Sequence, residues 1–289
     1  MTFITRFAPS PTGPLHLGHA YSALLAFDLA QERNGQFLLR IEDIDRARSK
    51  PEWESQIYDD LAWLGITWKK PVLRQSLRLD AYEAALKRLW SDGQLFACSC
   101  NRRDILGALT APQEGDPPIG PDGPVYPGTC RGKDSAILPE PPTGTALRLS
   151  MDKVVEAIEA DSDLGFWEEE FGDARFVEIE RSKLIENVGD VVLSRKDMGT
   201  SYHLSVVLDD AFQGVTDVVR GEDLFEATQI HVILQHLLGL PTPKYLHHRL
   251  IRDEAGKRLA KRDDARAIWK YREDGLTPSD VRKLVGLVP

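Results

Sequence analysis

Residues 6–19 read RFAPSPTGPLHLGH, and no other feature of this 289-residue chain restricts its fold as much. Pro9, Pro11, Thr12, Gly13 and Pro14 do not sustain a strand or a helix, so the chain must turn before His16. Ahead of the turn, Phe3, Ile4, Phe7 and Ala8 form a short apolar run with β-branched and aromatic members, which predicts a buried strand. Behind it, Tyr21, Leu24, Leu25 and Leu29 fall at i, i+3, i+4 and i+8, with Asp28, Gln31, Glu32 and Arg33 toward the polar side. This spacing predicts an amphipathic helix that stops at Asn34-Gly35. A strand-turn-helix junction gathers unpaired N–H groups and the positive end of the helix dipole at one point, which attracts phosphate. His16 and His19 would share that face as donors, and Gly18, lacking a Cβ, would let a base or a phosphate approach the backbone. Taken alone, however, HxGH reads better as a surface loop with incidental histidines.

The rest of the chain supports an α/β order. Residues 36–42 read as a strand through Phe37, Leu38, Leu39 and Ile41, ending in the acidic set Glu42, Asp43 and Asp45. Ligands of open α/β sheets gather at such strand ends. Trp53, Ile57, Leu61 and Leu64 mark one helix; Leu79, Tyr82, Leu86 and Leu89 mark another, and two more are expected around residues 266–272 and 279–285. No internal repeat is evident, and residues 111–128, crowded with Pro, Gly and Asp, are expected to be an exposed loop. At 42% hydrophobic content the chain can bury a large core, as two domains or as one with an insertion. No apolar run of about 18 residues and no basic-then-apolar N-terminal segment occurs, so neither a membrane span nor a signal peptide is indicated and a cytoplasmic location is expected. The net charge of −9 argues against binding polyanions over the whole surface. Local basic patches are available at Arg102-Arg103, at Arg258, Lys261, Arg262 and Arg266, and at Lys270 and Arg272.

All three cysteines lie around the 111–128 segment: Cys98, Cys100 and Cys130. Two readings stand side by side. Three thiolates supply most of a tetrahedral zinc shell; alternatively, Cys98 and Cys100 alternate on a strand and one is buried as a small hydrophobe. In the second half, the stretches from Thr200 through Tyr202 to Asp210, and from Val218 through Arg220 to Asp223, read as buried strand ends running into loops. Taken singly, Glu42 and Arg220 read better as an ion pair between neighbouring strand ends, and Tyr202 as a half-buried aromatic anchor.

Residues 6–19 resemble the first signature of the class I aminoacyl-tRNA synthetases, in the form used by the glutamyl members. Arg258-Leu259-Ala260-Lys261-Arg262 resembles their second, KMSKS-type signature, with Arg258 in place of the first lysine, Ala260 in place of the serine, and the second lysine kept as Lys261. The cysteines and Tyr126 resemble the CxC and YxxxC zinc pattern of a short branch of that group, the glutamyl-Q tRNA(Asp) synthetases. The resemblance implies a Rossmann-like nucleotide-binding core with a parallel sheet, split by a zinc-containing insertion and without an anticodon-binding domain. The implied division is 1–95 for the first half of the core, 96–185 for the insertion with its RNA contacts, and 186–289 for the second half with the KMSKS-like loop and a helical tail. It further implies that His16, His19 and Lys261 are catalytic, and that His16, Gly18, His19, Arg258 and Lys261 bind ATP. Arg6, Phe7, Ala8, Pro9, Ser10, Glu42, Tyr202 and Arg220 would hold L-glutamate, and Cys98, Cys100, Tyr126 and Cys130 would hold one structural Zn²⁺. Mg²⁺ would accompany ATP. The implied reaction is activation of glutamate without tRNA and its transfer to queuosine in the anticodon loop of tRNA(Asp), with neither a membrane nor a stable protein partner involved. The rival readings are a truncated glutamyl-tRNA synthetase charging the tRNA 3′ end, and a non-catalytic RNA-binding paralogue.

Overall fold

The computed structural model describes residues 2–109, 118–132, 138–158, 163–170, 172–252 and 266–287. The first unit is the expected one: strand β1 (Ile4–Phe7), helix α1 (Leu17–Glu32) and strand β2 (Gln36–Ile41), which pairs parallel with β1. The helix ends where Asn34 adopts a φ of 51°, a left-handed conformation that asparagine tolerates. Instead of showing a clean polar face, α1 is buried on most sides, with Ala20, Ala23, Ala26 and Ala30 fitting where larger residues would not. Helix α2 (Pro51–Trp63) and short strand β3 (Leu73–Arg74), parallel to β2, complete the first sheet.

Helix α3 (Leu79–Ser91) leads into β4 (Leu95–Cys98), α4 (Arg102–Leu109) and the small hairpin β5 (Ile119–Gly120) and β6 (Gly123–Pro124). The expected exposed loop is thus partly structured: Pro121-Asp122 makes a two-residue turn, and Gly123 takes a φ of 101° that only glycine adopts readily. Strand β7 (Ala146–Leu149) pairs with β4; α5 (Met151–Ala157), the antiparallel strands β8 (Gly165–Glu170) and β9 (Asp173–Glu178), and α6 (Arg181–Asn187) follow. Strand β10 (Val192–Ser194) closes the β10-β7-β4 sheet.

The next segment corrects the sequence expectation. Tyr202 does not end a strand; it opens helix α7 (Tyr202–Gln213), whose N-cap Ser201 accepts a hydrogen bond from the Leu204 N–H. Val206 and Val207 favour strand locally, but the capping serine and the burial of most residues from His203 to Asp210 override that preference. Then come β11 (Asp217–Gly221), α8 (Thr228–Leu238), β12 (Lys244–His248), α9 (Ile268–Glu273) and α10 (Pro278–Leu284). Strands β11, β12 and β8 run parallel. Strand β11 also lies against β1, where the Thr216 N–H donates to the Ile4 carbonyl at 2.9 Å. Strand β1 therefore sits between β2 and β11, the place where an open parallel sheet forms its ligand crevice. Among the described residues, no helix is long and apolar enough to cross a membrane.

Candidate active site and metal cluster

A cavity of about 560 Å³ opens at that crevice, beyond the carboxyl ends of β1, β2 and β11. Arg6, Phe7, Ala8, Pro9 and Ser10 reach it from β1, Glu42 from β2, Arg220 from β11 and Tyr202 from the first turn of α7. Every residue expected to hold the amino acid therefore lines one space, although 214 positions separate Arg6 from Arg220.

A buried ionic network forms the floor. Asp210 accepts from Arg6 Nε at 2.9 Å and from Arg40 Nη1 at 2.7 Å, and Arg40 Nη2 reaches Glu42 at 3.2 Å. Two cations face two anions, so the set is close to neutral. Burial works against ionisation of Asp210, but the guanidiniums of Arg6 and Arg40 outweigh it and hold its carboxyl below the usual value. Glu42 is pushed upward by burial, which those guanidiniums only partly offset. Arg40 and Asp210 were not anticipated. The one available signal was an arginine inside the apolar strand QFLLRI. Arg220 spends four N–H groups on protein partners, namely His247, His231, Thr228 and the Leu224 carbonyl. One Nη1 hydrogen remains without a partner among the described residues.

At the start of α1, His16 is the N-cap. Its Nδ1 accepts from the Gly18 N–H at 3.1 Å, while its own N–H donates to His19 Nδ1 at 3.1 Å, forming a reciprocal capping box. Both Nδ1 atoms act as acceptors, so each neutral ring carries its proton on Nε2. The rings lie tilted by 37° with centroids 3.8 Å apart, and His19 lines the cavity. Gly18 has a role that the sequence did not reveal: a Cβ there would come within 3.1 Å of the His16 ring. Arg258, Ala260, Lys261 and Arg262 lie outside the described residues. The segment that follows them is tied to this junction, since Ala267 bridges His16 and the Ile268 N–H donates to the Leu15 carbonyl.

Away from the cavity, the Sγ atoms of Cys98, Cys100 and Cys130 lie within 4.8 Å of one another. The Tyr126 hydroxyl is 3.4 Å from Cys98 Sγ and 3.5 Å from Cys100 Sγ, and it accepts from the Cys130 N–H. Three cysteines so arranged can hold a metal ion. A tetrahedral ion with bonds of about 2.3 Å needs sulfurs about 3.8 Å apart, and Cys100 and Cys130 already stand at 3.5 Å. Arg148, unforeseen from the sequence, donates to Cys98 Sγ at 3.3 Å and lies over the Tyr126 ring. Burial alone would raise the Cys130 thiol, yet hydrogen bonds from Tyr126, the Ser99 backbone and Cys100 bring it down to about 6, toward the thiolate that metals require.

The family model for the catalytic domain of class I tRNA synthetases (E and Q) matches residues 2–113 and 170–288. The glutamyl-Q tRNA(Asp) synthetase of Rhodobacter capsulatus is 63% identical over 98% of this chain and all of its own length. That of Methylococcus capsulatus is 39% identical over 98% of this chain and 83% of its own. Among solved structures, the glutamate-tRNA synthetase of Elizabethkingia anophelis superposes with a TM-score of 0.75 at 24% identity, covering 99% of this chain; the chain spans 61% of that protein. A methionyl-tRNA synthetase of Mycobacterium tuberculosis, at 11% identity and a TM-score of 0.60, shares the fold over 98% of this chain and 64% of its own. The chain is thus an aminoacyl-transfer ligase that belongs to the class I tRNA synthetases of the glutamyl and glutaminyl group, within the glutamyl-Q tRNA(Asp) synthetases.

Proposed function

We propose that this enzyme activates L-glutamate with ATP in the absence of tRNA, then transfers it to queuosine in the anticodon loop of cytoplasmic tRNA(Asp). The observation that carries the reading is the convergence of Arg6, Glu42, Tyr202 and Arg220 on one cavity beside His19. Glutamate offers two carboxylates and an ammonium; the remaining Arg220 donor and the Tyr202 hydroxyl suit a carboxylate, and Glu42 suits the ammonium. The glutamate α-carboxylate attacks the α-phosphorus of ATP, pyrophosphate leaves, and glutamyl-adenylate remains. His16 and His19 donate from Nε2 to phosphate oxygens, while the Lys261 ammonium and Arg258 follow the charge that develops toward the leaving pyrophosphate. Mg²⁺ enters with ATP. The enzyme contributes position and charge rather than a nucleophile.

In the second step a hydroxyl of the queuosine cyclopentene ring attacks the activated carbonyl, AMP leaves with the bonding electron pair, and the hydroxyl proton is released to water. The insertion at 96–185 contacts the RNA in this reading. Its cysteines and Tyr126 hold one structural Zn²⁺, which cross-links the segment and takes no part in the chemistry.

Activation is tested by glutamate-dependent exchange of pyrophosphate into ATP without tRNA. Exchange that depends on Lys261, and is lost in Lys261→Ala, supports the reading; absence of exchange in the wild type would overturn it. The acceptor is tested by ribonuclease mapping of labelled tRNA, with label expected in the anticodon fragment rather than at the 3′ end.

A further inference from the structure

Behind the cavity, Arg220 is embedded in a set of polar side chains that do not line it. Its Nη1 donates to His231 Nδ1 at 2.9 Å and its Nε to His247 Nε2 at 3.1 Å. His231 Nε2 lies 3.1 Å from His203 Nδ1, and His203 Nε2 lies 3.4 Å from an Asp122 carboxylate oxygen in the β5–β6 turn. On the other side, His247 Nδ1 lies 2.7 Å from Glu168, whose second oxygen accepts the His247 N–H at 2.9 Å. The guanidinium also lies 5.0 Å from the centre of the Tyr245 ring, which stacks on His247.

These contacts fix the tautomers. A guanidinium only donates, so both imidazole nitrogens facing Arg220 must accept. His231 therefore carries its proton on Nε2 and donates to His203 Nδ1; His203 in turn carries its proton on Nε2 and directs it toward Asp122. His247 carries its proton on Nδ1 and donates to Glu168. All three rings are neutral, and every hydrogen bond points outward from Arg220, toward a carboxylate at each end. Protonating His231 or His247 would set a donor against a donor. Burial, followed by the charge of Arg220, keeps His231 well below its ordinary pKa, and burial lowers His247 as well, in keeping with neutral rings.

We infer that His231 and His247 are positioning residues for glutamate selection, which aim the one remaining Arg220 donor into the cavity through outward-polarised relays ending at Asp122 and Glu168. The inference rests on the glutamate pocket proposed above. An arginine free to rotate could turn its charge away from the cavity and leave a substrate carboxylate unmet. One held by four fixed acceptors offers a single donor in a single direction, and that donor, with its charge, is best matched by an anion.

The test compares His231→Leu, which removes the acceptor, with His231→Asn, whose Oδ1 occupies nearly the place of the lost Nδ1. His247→Leu and His247→Gln form the second pair. Pyrophosphate exchange is measured against glutamate, glutamine and ATP. The inference expects the leucine variants to raise the KM for glutamate by roughly 10- to 100-fold, the range for a hydrogen bond to a charged group. The KM for ATP should stay within about twofold, the glutamate-to-glutamine ratio should fall, and the amide variants should recover most of the loss. Loss of ATP affinity in step with glutamate affinity, without amide rescue, would reduce the histidines to packing and overturn the inference. Arg220→Leu separates the two layers. If that variant loses glutamate while His231→Leu and His247→Leu behave as wild type, the relays are refuted and the pocket stands. If Arg220→Leu keeps its glutamate KM, the pocket reading itself falls, and the relays with it.

Discussion

Replacing Asp210 with asparagine leaves the size of the side chain almost unchanged but removes the charge that two buried guanidiniums share. Arg6 and Arg40 are 4% and 0% exposed, and they sit 2.9 and 2.7 Å from the Asp210 carboxylate. With Asp210 neutral, Glu42 alone faces both cations, and one positive charge in the floor of the cavity loses its partner. Breaking a buried pair by removing one member costs about 3–5 kcal/mol. At roughly 2–4 °C per kcal/mol, the midpoint of thermal unfolding should fall by about 6–20 °C. Urea unfolding of Asp210→Asn beside Glu83→Gln provides the assay, because Glu83 pairs with Lys87 in solvent and should contribute little. The pH dependence adds a second signature. The folded-state pKa of Asp210 is depressed below its ordinary 3.8, so its stabilising contribution is present above that value and is lost as pH falls through the folded-state pKa. The acid limb should therefore be shallower in the variant. A loss below about 1 kcal/mol, or an unchanged acid limb, would refute the account of the network.

Three further outcomes follow from the geometry. Asp60, pushed up to about 6 chiefly by burial, binds an extra proton in the folded state between about pH 4 and 6, so its contribution is lost as pH rises through 6; Asp60→Asn should gain about 1–2 kcal/mol at pH 8 in urea unfolding and flatten that region. His19→Ala should lower kcat for pyrophosphate exchange by roughly 10²- to 10³-fold with little change in the KM for glutamate, as expected for a group that acts mainly in the transition state. Cys98→Ser should bring bound metal, measured by elemental analysis, from one per chain to near zero and lower the unfolding midpoint; equal metal content in both proteins would remove the cluster from the account.

The strand-turn-helix junction was legible because prolines and a 3.6-residue apolar period act locally, and β1, α1 and β2 follow them within a few residues. Tyr202 shows the opposite case: Val206 and Val207 carry a strand preference, and the Ser201 cap with the tertiary burial of α7 settles the competition. The floor of the cavity was illegible because its partners are remote in the chain. Nothing near Arg6 announces Asp210, 204 residues away, nor does anything near Arg220 announce which imidazoles will face it. The cysteine cluster was half-legible. Its spacing left zinc and simple burial open, and folding brings the three sulfurs and the Tyr126 hydroxyl together while adding Arg148, which no spacing rule identifies.

The most direct measurement of the central claim is transfer of labelled glutamate, with ATP and Mg²⁺, to tRNA from cells that make queuosine and from cells that do not. The account predicts label in the queuosine-containing pool alone. Equal label in both pools would contradict it and point to charging of the 3′ end.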